Sequence, residues 1–99
     1  MKISETNLAG AYILENDIYR DNRGYFTCFY IEEDFKNNNL NTKWTQINSS
    51  VSFDEGTLRG LHFQYPPFSQ IKLIRVIQGS IFDVIVDIRP KSETFGKYF

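Results

Sequence analysis

The sequence predicts an all-β domain: an antiparallel sandwich, jelly roll or barrel. Residues 71–89 alternate apolar and polar side chains with a period of two, which is the pattern of a half-buried strand. Short β-rich runs recur between turn signals at intervals of roughly ten residues, enough for about six or seven strands. Aromatic residues make up 16% of the chain, with nine Phe and six Tyr, and such side chains favour pleated, half-covered surfaces. Ninety-nine residues at 41% hydrophobic and 23% charged suit one globular domain over residues 1–99. A folded chain of that length buries roughly two-thirds of its unfolded surface.

In chain order, the polar stretch RDNRG at 20–24 holds turn formers and feeds the β-rich run GYFTCFYI at 24–31. EEDFKNNNLN at 32–41 is the one plausible helical turn, and its asparagines limit it to a short piece. TKWTQINSSVS at 42–52 alternates in part, with Trp44, Gln46 and Asn48 on a common side, and DEG at 54–56 turns it into TLRGLHFQ at 57–64. IKLIRVIQG at 71–79 ends at Gly79-Ser80 and is followed by IFDVIVDIR at 81–89. There Phe82, Val84, Val86 and Ile88 share one face, and Asp83, Asp87 and Arg89 share the other with Ile81 and Ile85. Residues 71–89 are therefore expected to form a hairpin on a tight glycine turn. The final KSETFGKYF carries no polar tail, so Tyr98 and Phe99 either dock their rings or lie inside a longer polypeptide. The chain has no internal repeat or linker.

Composition removes several function classes. Eleven basic and twelve acidic side chains give a net charge of −1, so no broad field draws nucleic acid or an anionic membrane, and any anion contact has to be local. Cys28 is the single cysteine and His62 the single histidine, which is too few for an internal disulfide or a Cys/His zinc site. The dispersed acids do not suggest a hard-oxygen cation site, so no dedicated metal site is expected. The start MKISETNLAG has no apolar core of signal-peptide length, and no run reaches the roughly 18 to 20 apolar residues of a membrane span. A cytoplasmic protein that contacts neither membrane nor nucleic acid is the expectation.

Each residue able to carry chemistry has a plain alternative role. His62 has the side chain whose pKa, about 6.5, suits proton transfer near neutral pH, yet a lone histidine is more often packed or simply solvated. Arg59 and His62 are an odd number of residues apart, so they share a side only if the strand bulges at Gly60. Lys72 opens an apolar run; it is either a solvated edge lysine or a cation set to stabilise a developing enolate oxygen. Gln46 and Asn48 either hydrogen-bond a polyhydroxylated ligand or face water. Arg23 and Arg59 suit phosphate but are also ordinary surface cations. Neither a G-x-S-x-G elbow nor a glycine-rich phosphate loop occurs.

Four collinear stretches, DNRGYF (21–26), QINSSVS (46–52), GTLRGLHFQYPPFSQIKLIRVIQGSIFDVIVDIR (56–89) and SETFGK (92–97), resemble the N-terminal half of the dTDP-4-dehydrorhamnose 3,5-epimerase family. The resemblance implies a cupin-type jelly roll, a double-stranded β-helix, of which this chain holds half. It implies a homodimer acting on a nucleotide-linked 4-keto-6-deoxy sugar without metal, flavin or nicotinamide. It matches the catalytic base to His62, the enolate-stabilising lysine to Lys72, and sugar-nucleotide contacts to Arg23, Phe26, Gln46, Asn48 and Arg59. Cys28 stands where many relatives carry a glutamate lining the nucleotide site. The family's tyrosine acid and the aspartate that orients the histidine fall in the second half of a chain roughly twice this length. A fragment or truncated product is expected, with apolar faces and strand edges uncovered. A 3-epimerase, a ketoisomerase, a non-catalytic sugar-nucleotide binding module and a truncated remnant without function stay open beside the 3,5-epimerase.

Overall fold

The computed structural model describes residues 1–99 as two antiparallel hairpins, one short helix and a long stretch without ladders. Strand β1 (Lys2–Glu5) pairs with β2 (Tyr12–Glu15) in the register Lys2↔Glu15 to Glu5↔Tyr12. Between them the Leu8 amide donates to the Thr6 hydroxyl at 3.0 Å and the Ala11 amide to the Leu8 carbonyl at 3.1 Å. This side-chain turn buries Leu8 and reverses the chain. Strand β3 (Ile18–Asp21) pairs with β4 (Gly24–Thr27) across the two residues Asn22 and Arg23. Asp21 caps that turn by accepting the Arg23 amide at 2.8 Å, so the expected turn in RDNRG is present.

Helix α1 (Glu32–Asn37) is as short as its sequence requires. Glu32, Glu33 and Asp34 place negative charge at its N-terminal end, where the helix dipole favours it, and Lys36 pairs with Glu32 at 2.6 Å one turn away. The asparagines stop it physically. Asn39 takes a φ of 55°, the Leu40 amide reaches back to the Phe35 carbonyl at 2.8 Å and the Asn39 amide to Lys36 at 3.1 Å. Those two bonds satisfy carbonyls of the last turn in the Schellman manner. Phe35, 2% exposed, packs edge-on against Tyr30 at 4.8 Å and against Trp44 at 6.3 Å, forming the best-covered apolar site in the molecule.

The expected hairpin over 71–89 does not form. No backbone hydrogen bond joins residues 71–77 to 81–89, and neither they nor residues 42–52 belong to a ladder. Alternation marks a strand with one covered face but does not name its neighbour. Residues 85–87 pair instead with the chain end: Ile85 and Phe99 exchange both amide–carbonyl bonds at 3.0 Å, and Val86 bridges Tyr98. The final residues thus dock through their backbone, while the Tyr98 ring stays exposed.

Coverage is correspondingly thin. Leu8, Phe35 and Asp87 are the three buried residues, whereas Phe82, Phe53, Ile47 and Leu58 are each more than nine-tenths exposed. The accessible surface of 9371 Å² compares with roughly 5,800 Å² for a compact monomer of this size. The radius of gyration of 15.7 Å likewise exceeds the about 13 Å of a compact domain of 100 residues. No helix is long and apolar enough to cross a membrane.

Candidate functional site

The seven candidate residues fall into four small groups, all solvent-exposed. Arg23 sits in the β3–β4 turn with its guanidinium on the Asp21 carboxylate, Nε to Oδ2 at 3.1 Å. That bond, with the Arg23 and Gly24 amides, holds the Asp21 carboxyl below its ordinary pKa, and it raises that of Arg23. Phe26, two residues beyond the turn, lies across the sheet from Tyr19 with ring centroids 6.5 Å apart. Arg23, Phe26, Tyr25 and Asp21 line one shallow notch, so the hairpin sets a fixed cation beside an exposed aromatic face.

Gln46 and Asn48 are side by side, as their spacing of two predicts: Gln46 Nε2 donates to Asn48 Oδ1 at 3.0 Å. Arg59 reaches back across the Asp54–Gly56 turn. Its Nε donates to the Ser52 hydroxyl at 3.1 Å and its Nη2 to the Val51 carbonyl at 2.9 Å.

His62 follows Gly60, whose φ of 104° is open to glycine and strained for other residues. A side chain there would meet the His62 ring only at an ordinary 3.6 Å, so backbone conformation rather than space demands the glycine. This interrupts simple alternation where the sequence suggested a bulge, although no hydrogen bond joins the Arg59 and His62 side chains. Neither ring nitrogen of His62 has a hydrogen-bond partner, while Lys72 Nζ lies 3.5 Å from the His62 carbonyl oxygen. The Lys72 ammonium therefore meets the backbone of the residue that carries the one imidazole, not the ring itself. No hydrogen bond or ion pair joins the four groups to one another.

Two residues acting on the candidates escaped sequence reasoning. Asp21 fixes Arg23 and Ser52 fixes Arg59; the first was readable, since an Asp two residues before an Arg in a turn is a common cap. Cys28 is exposed, with its thiol 3.4 Å from the Tyr30 carbonyl.

The most elaborate polar network lies apart from these groups. Asp87, which shares a strand face with Asp83 in the alternation of residues 81–89, is buried. Its carboxylate accepts Arg89 Nε and Nη2 at 2.8 Å each, the hydroxyls of Ser92 and Thr94, and the Arg89 amide at 3.0 Å. The Arg89 guanidinium, then the Ser92 and Thr94 hydroxyls, hold the Asp87 carboxyl far below the usual carboxylate range. Arg89 also donates to the Ala9 carbonyl at 2.6 Å, which ties the C-terminal segment to the β1–β2 turn.

The sequence model of dTDP-4-dehydrorhamnose 3,5-epimerase matches residues 5–99, nearly the whole chain. The chain belongs to the dTDP-4-dehydrorhamnose 3,5-epimerase family. The family's enzyme from Methanothermobacter thermautotrophicus is 48% identical over 94 residues, covering 95% of this chain and 50% of that protein. The enzyme from Sinorhizobium fredii is 40% identical over 98 residues, again covering half of its own length. A crystal structure of the Bacillus anthracis dTDP-4-dehydrorhamnose 3,5-epimerase with TDP and PPi bound superposes with a TM-score of 0.94 at 44% identity, over 99% of this chain and 56% of that one. The chain thus spans about half the length of the family members it matches. Its unladdered residues nevertheless follow the family's chain path.

Proposed function

We propose that this chain is the N-terminal half of a cupin-type jelly roll that epimerises a nucleotide-linked 4-keto-6-deoxy sugar, dTDP-4-dehydrorhamnose or a close relative, as a cytoplasmic homodimer. The observation that carries the reading is the Lys72 ammonium 3.5 Å from the His62 backbone carbonyl, which brings the two residues, ten apart in sequence, to one place. His62 is the base: it takes the proton from the carbon next to the ketone, and the electron pair left behind delocalises into the carbonyl to form an enolate. Lys72 stabilises the oxygen of that enolate, which is what makes the carbon acid removable near neutral pH. Return of a proton to the opposite face inverts the centre. The substrate's own ketone activates the hydrogen, so the step runs on protons alone.

The remaining residues divide the sugar nucleotide between them. Arg23, held by Asp21, and Arg59, held by Ser52 and Val51, meet phosphate oxygens, since a guanidinium fixed on one edge offers its remaining donors in a defined direction. Phe26 gives an exposed face for a base, and the Gln46–Asn48 amides address polar groups of the nucleotide or sugar.

The test is to incubate the recombinant chain with a dTDP-linked 4-keto-6-deoxy sugar in D₂O and read deuterium at carbons 3 and 5 by NMR. Exchange needs only the base and the enolate, so it precedes any inversion; it is expected in the unsubstituted chain and lost in His62→Ala. Deuterium that persists in His62→Ala would sink the base assignment. A second reading, a sugar-nucleotide binding module without catalysis, is favoured by one observation: no carboxylate lies within hydrogen-bond reach of the His62 ring to orient it. It predicts dTDP binding with no deuterium uptake.

A further inference from the structure

We infer that Ser52 is a positioning residue: it fixes the Arg59 guanidinium so that the opposite edge faces an anionic ligand, which on the reading above is the diphosphate of the sugar nucleotide. A guanidinium carries five N–H donors in a rigid planar fork with two edges. In this chain the Nε–Nη2 edge is spent on the protein itself, Nε on the Ser52 hydroxyl at 3.1 Å and Nη2 on the Val51 carbonyl at 2.9 Å. The Nη1–Nη2 edge keeps its donors, with no protein acceptor upon them. An exposed arginine otherwise samples many rotamers and loses that freedom on binding. Two bonds to neighbouring residues remove most of it beforehand, so the ligand meets a fork already aimed.

The local chain is built to hold this clamp. Residues 52–59 form a tight excursion closed by Thr57, whose hydroxyl donates to the Asp54 carbonyl at 2.7 Å. Arg59 then folds back to the residue where the excursion began. Any backbone supplies a carbonyl like that of Val51, but the Nε contact needs a side-chain acceptor of hydroxyl length. Alanine at 52 would leave Arg59 on one bond, free to swing about it; threonine would keep the acceptor.

The test compares the unsubstituted chain with Ser52→Ala, Ser52→Thr, Arg59→Ala and the double variant Ser52→Ala/Arg59→Ala, using dTDP as the probe in calorimetry and the Arg59 Nε–H signal in ¹⁵N NMR. Loss of the one hydrogen bond between the guanidinium and the Ser52 hydroxyl should weaken dTDP binding roughly fivefold to tenfold in Ser52→Ala. The same change should speed exchange of the Arg59 Nε proton with water. Ser52→Thr should restore both, and Ser52→Ala should add nothing in the Arg59→Ala background. An Arg59 Nε–H signal indifferent to Ser52→Ala would overturn the inference. So would an equal loss of binding with and without Arg59, which marks a purely structural serine. If the unsubstituted chain fails to bind dTDP, the sugar-nucleotide reading falls, and the Nε exchange alone decides whether Ser52 sets Arg59.

Discussion

Residues 1–41 and residues 42–84 have similar aromatic and aliphatic side chains but opposite structural outcomes. In the first region every element closes on a neighbour close in sequence. β1 meets β2 across six residues, β3 meets β4 across two, and α1 ends in its own Schellman bonds. In the second region the backbone follows the family's path without a ladder, and its large apolar side chains, apart from Trp44 against Phe35, face outward. The lesson is about contact range. A hairpin brings its partner with it, whereas a strand whose neighbours are distant in sequence shows the right periodicity and still has nothing to pair with. Five of the seven candidate residues, Gln46, Asn48, Arg59, His62 and Lys72, sit in this second region. The proposed chemistry would therefore be carried where this chain supplies the least of its own support.

Removing the proposed base should give the largest effect. His62→Ala is expected to lower the rate of solvent-deuterium incorporation by at least about 100-fold, the usual worth of a positioned general base. Because His62 lies in the exposed region, thermal unfolding should not move with it. A variant that lost exchange and fold together would undo the separation between the two regions.

A pair of phenylalanines tests the same contrast on stability. Phe35→Ala empties the contact with Tyr30 and Trp44 and should cost about 3 kcal/mol, as large-to-small changes at covered aromatic sites do. Phe82→Ala removes the same side chain from a position 96% exposed and should stay within about 0.5 kcal/mol. Urea unfolding followed by Trp44 fluorescence reads both. Equal costs would mean that the second region holds a core of its own.

A smaller effect is expected from acid. Arg89, Ser92 and Thr94 lower the folded-state pKa of Asp87 below its unfolded value, so the unfolded chain binds this proton first as pH falls. The stabilisation is complete above about pH 4, the ordinary carboxylate pKa, and is lost progressively below it. Asp87→Asn should flatten that dependence. The measurement is amide exchange at Asp87 and Lys97 between pH 5 and 2. An unchanged acid profile in the variant would remove Asp87 as the clamp on the C-terminal segment.

The same contrast explains what was legible in the sequence. The short helix, the RDNRG turn, the strand beginning at Gly24, the Asp54–Gly56 turn and the Gln46–Asn48 pairing depend on residues a few positions apart, and all could be read from propensity and turn chemistry. The β1–β2 hairpin escaped because MKISE and YILE are too polar and too short to show alternation, and its reversal rests on a Thr6–Leu8 side-chain turn. The hairpin over 71–89 was expected because alternation reports a covered face without naming the cover. The burial of Asp87 is not legible in the alternation, because its partners, Ser92 and Thr94, return to it only after the chain bends at residues 90–91. The candidate site residues were found through motifs matched to a family, and Ser52 was missed because its role depends on a fold-back that no periodicity marks.

Amide hydrogen exchange of the 99-residue chain at neutral pH tests the central contrast most directly. Slow exchange is predicted at the paired amides of β1–β4, at the end of α1 and at Ile85, Asp87 and Phe99, with fast exchange from 42 through 84. A block of slow amides within 71–84 would contradict the account, since it would show that those residues find their strand partners inside this chain.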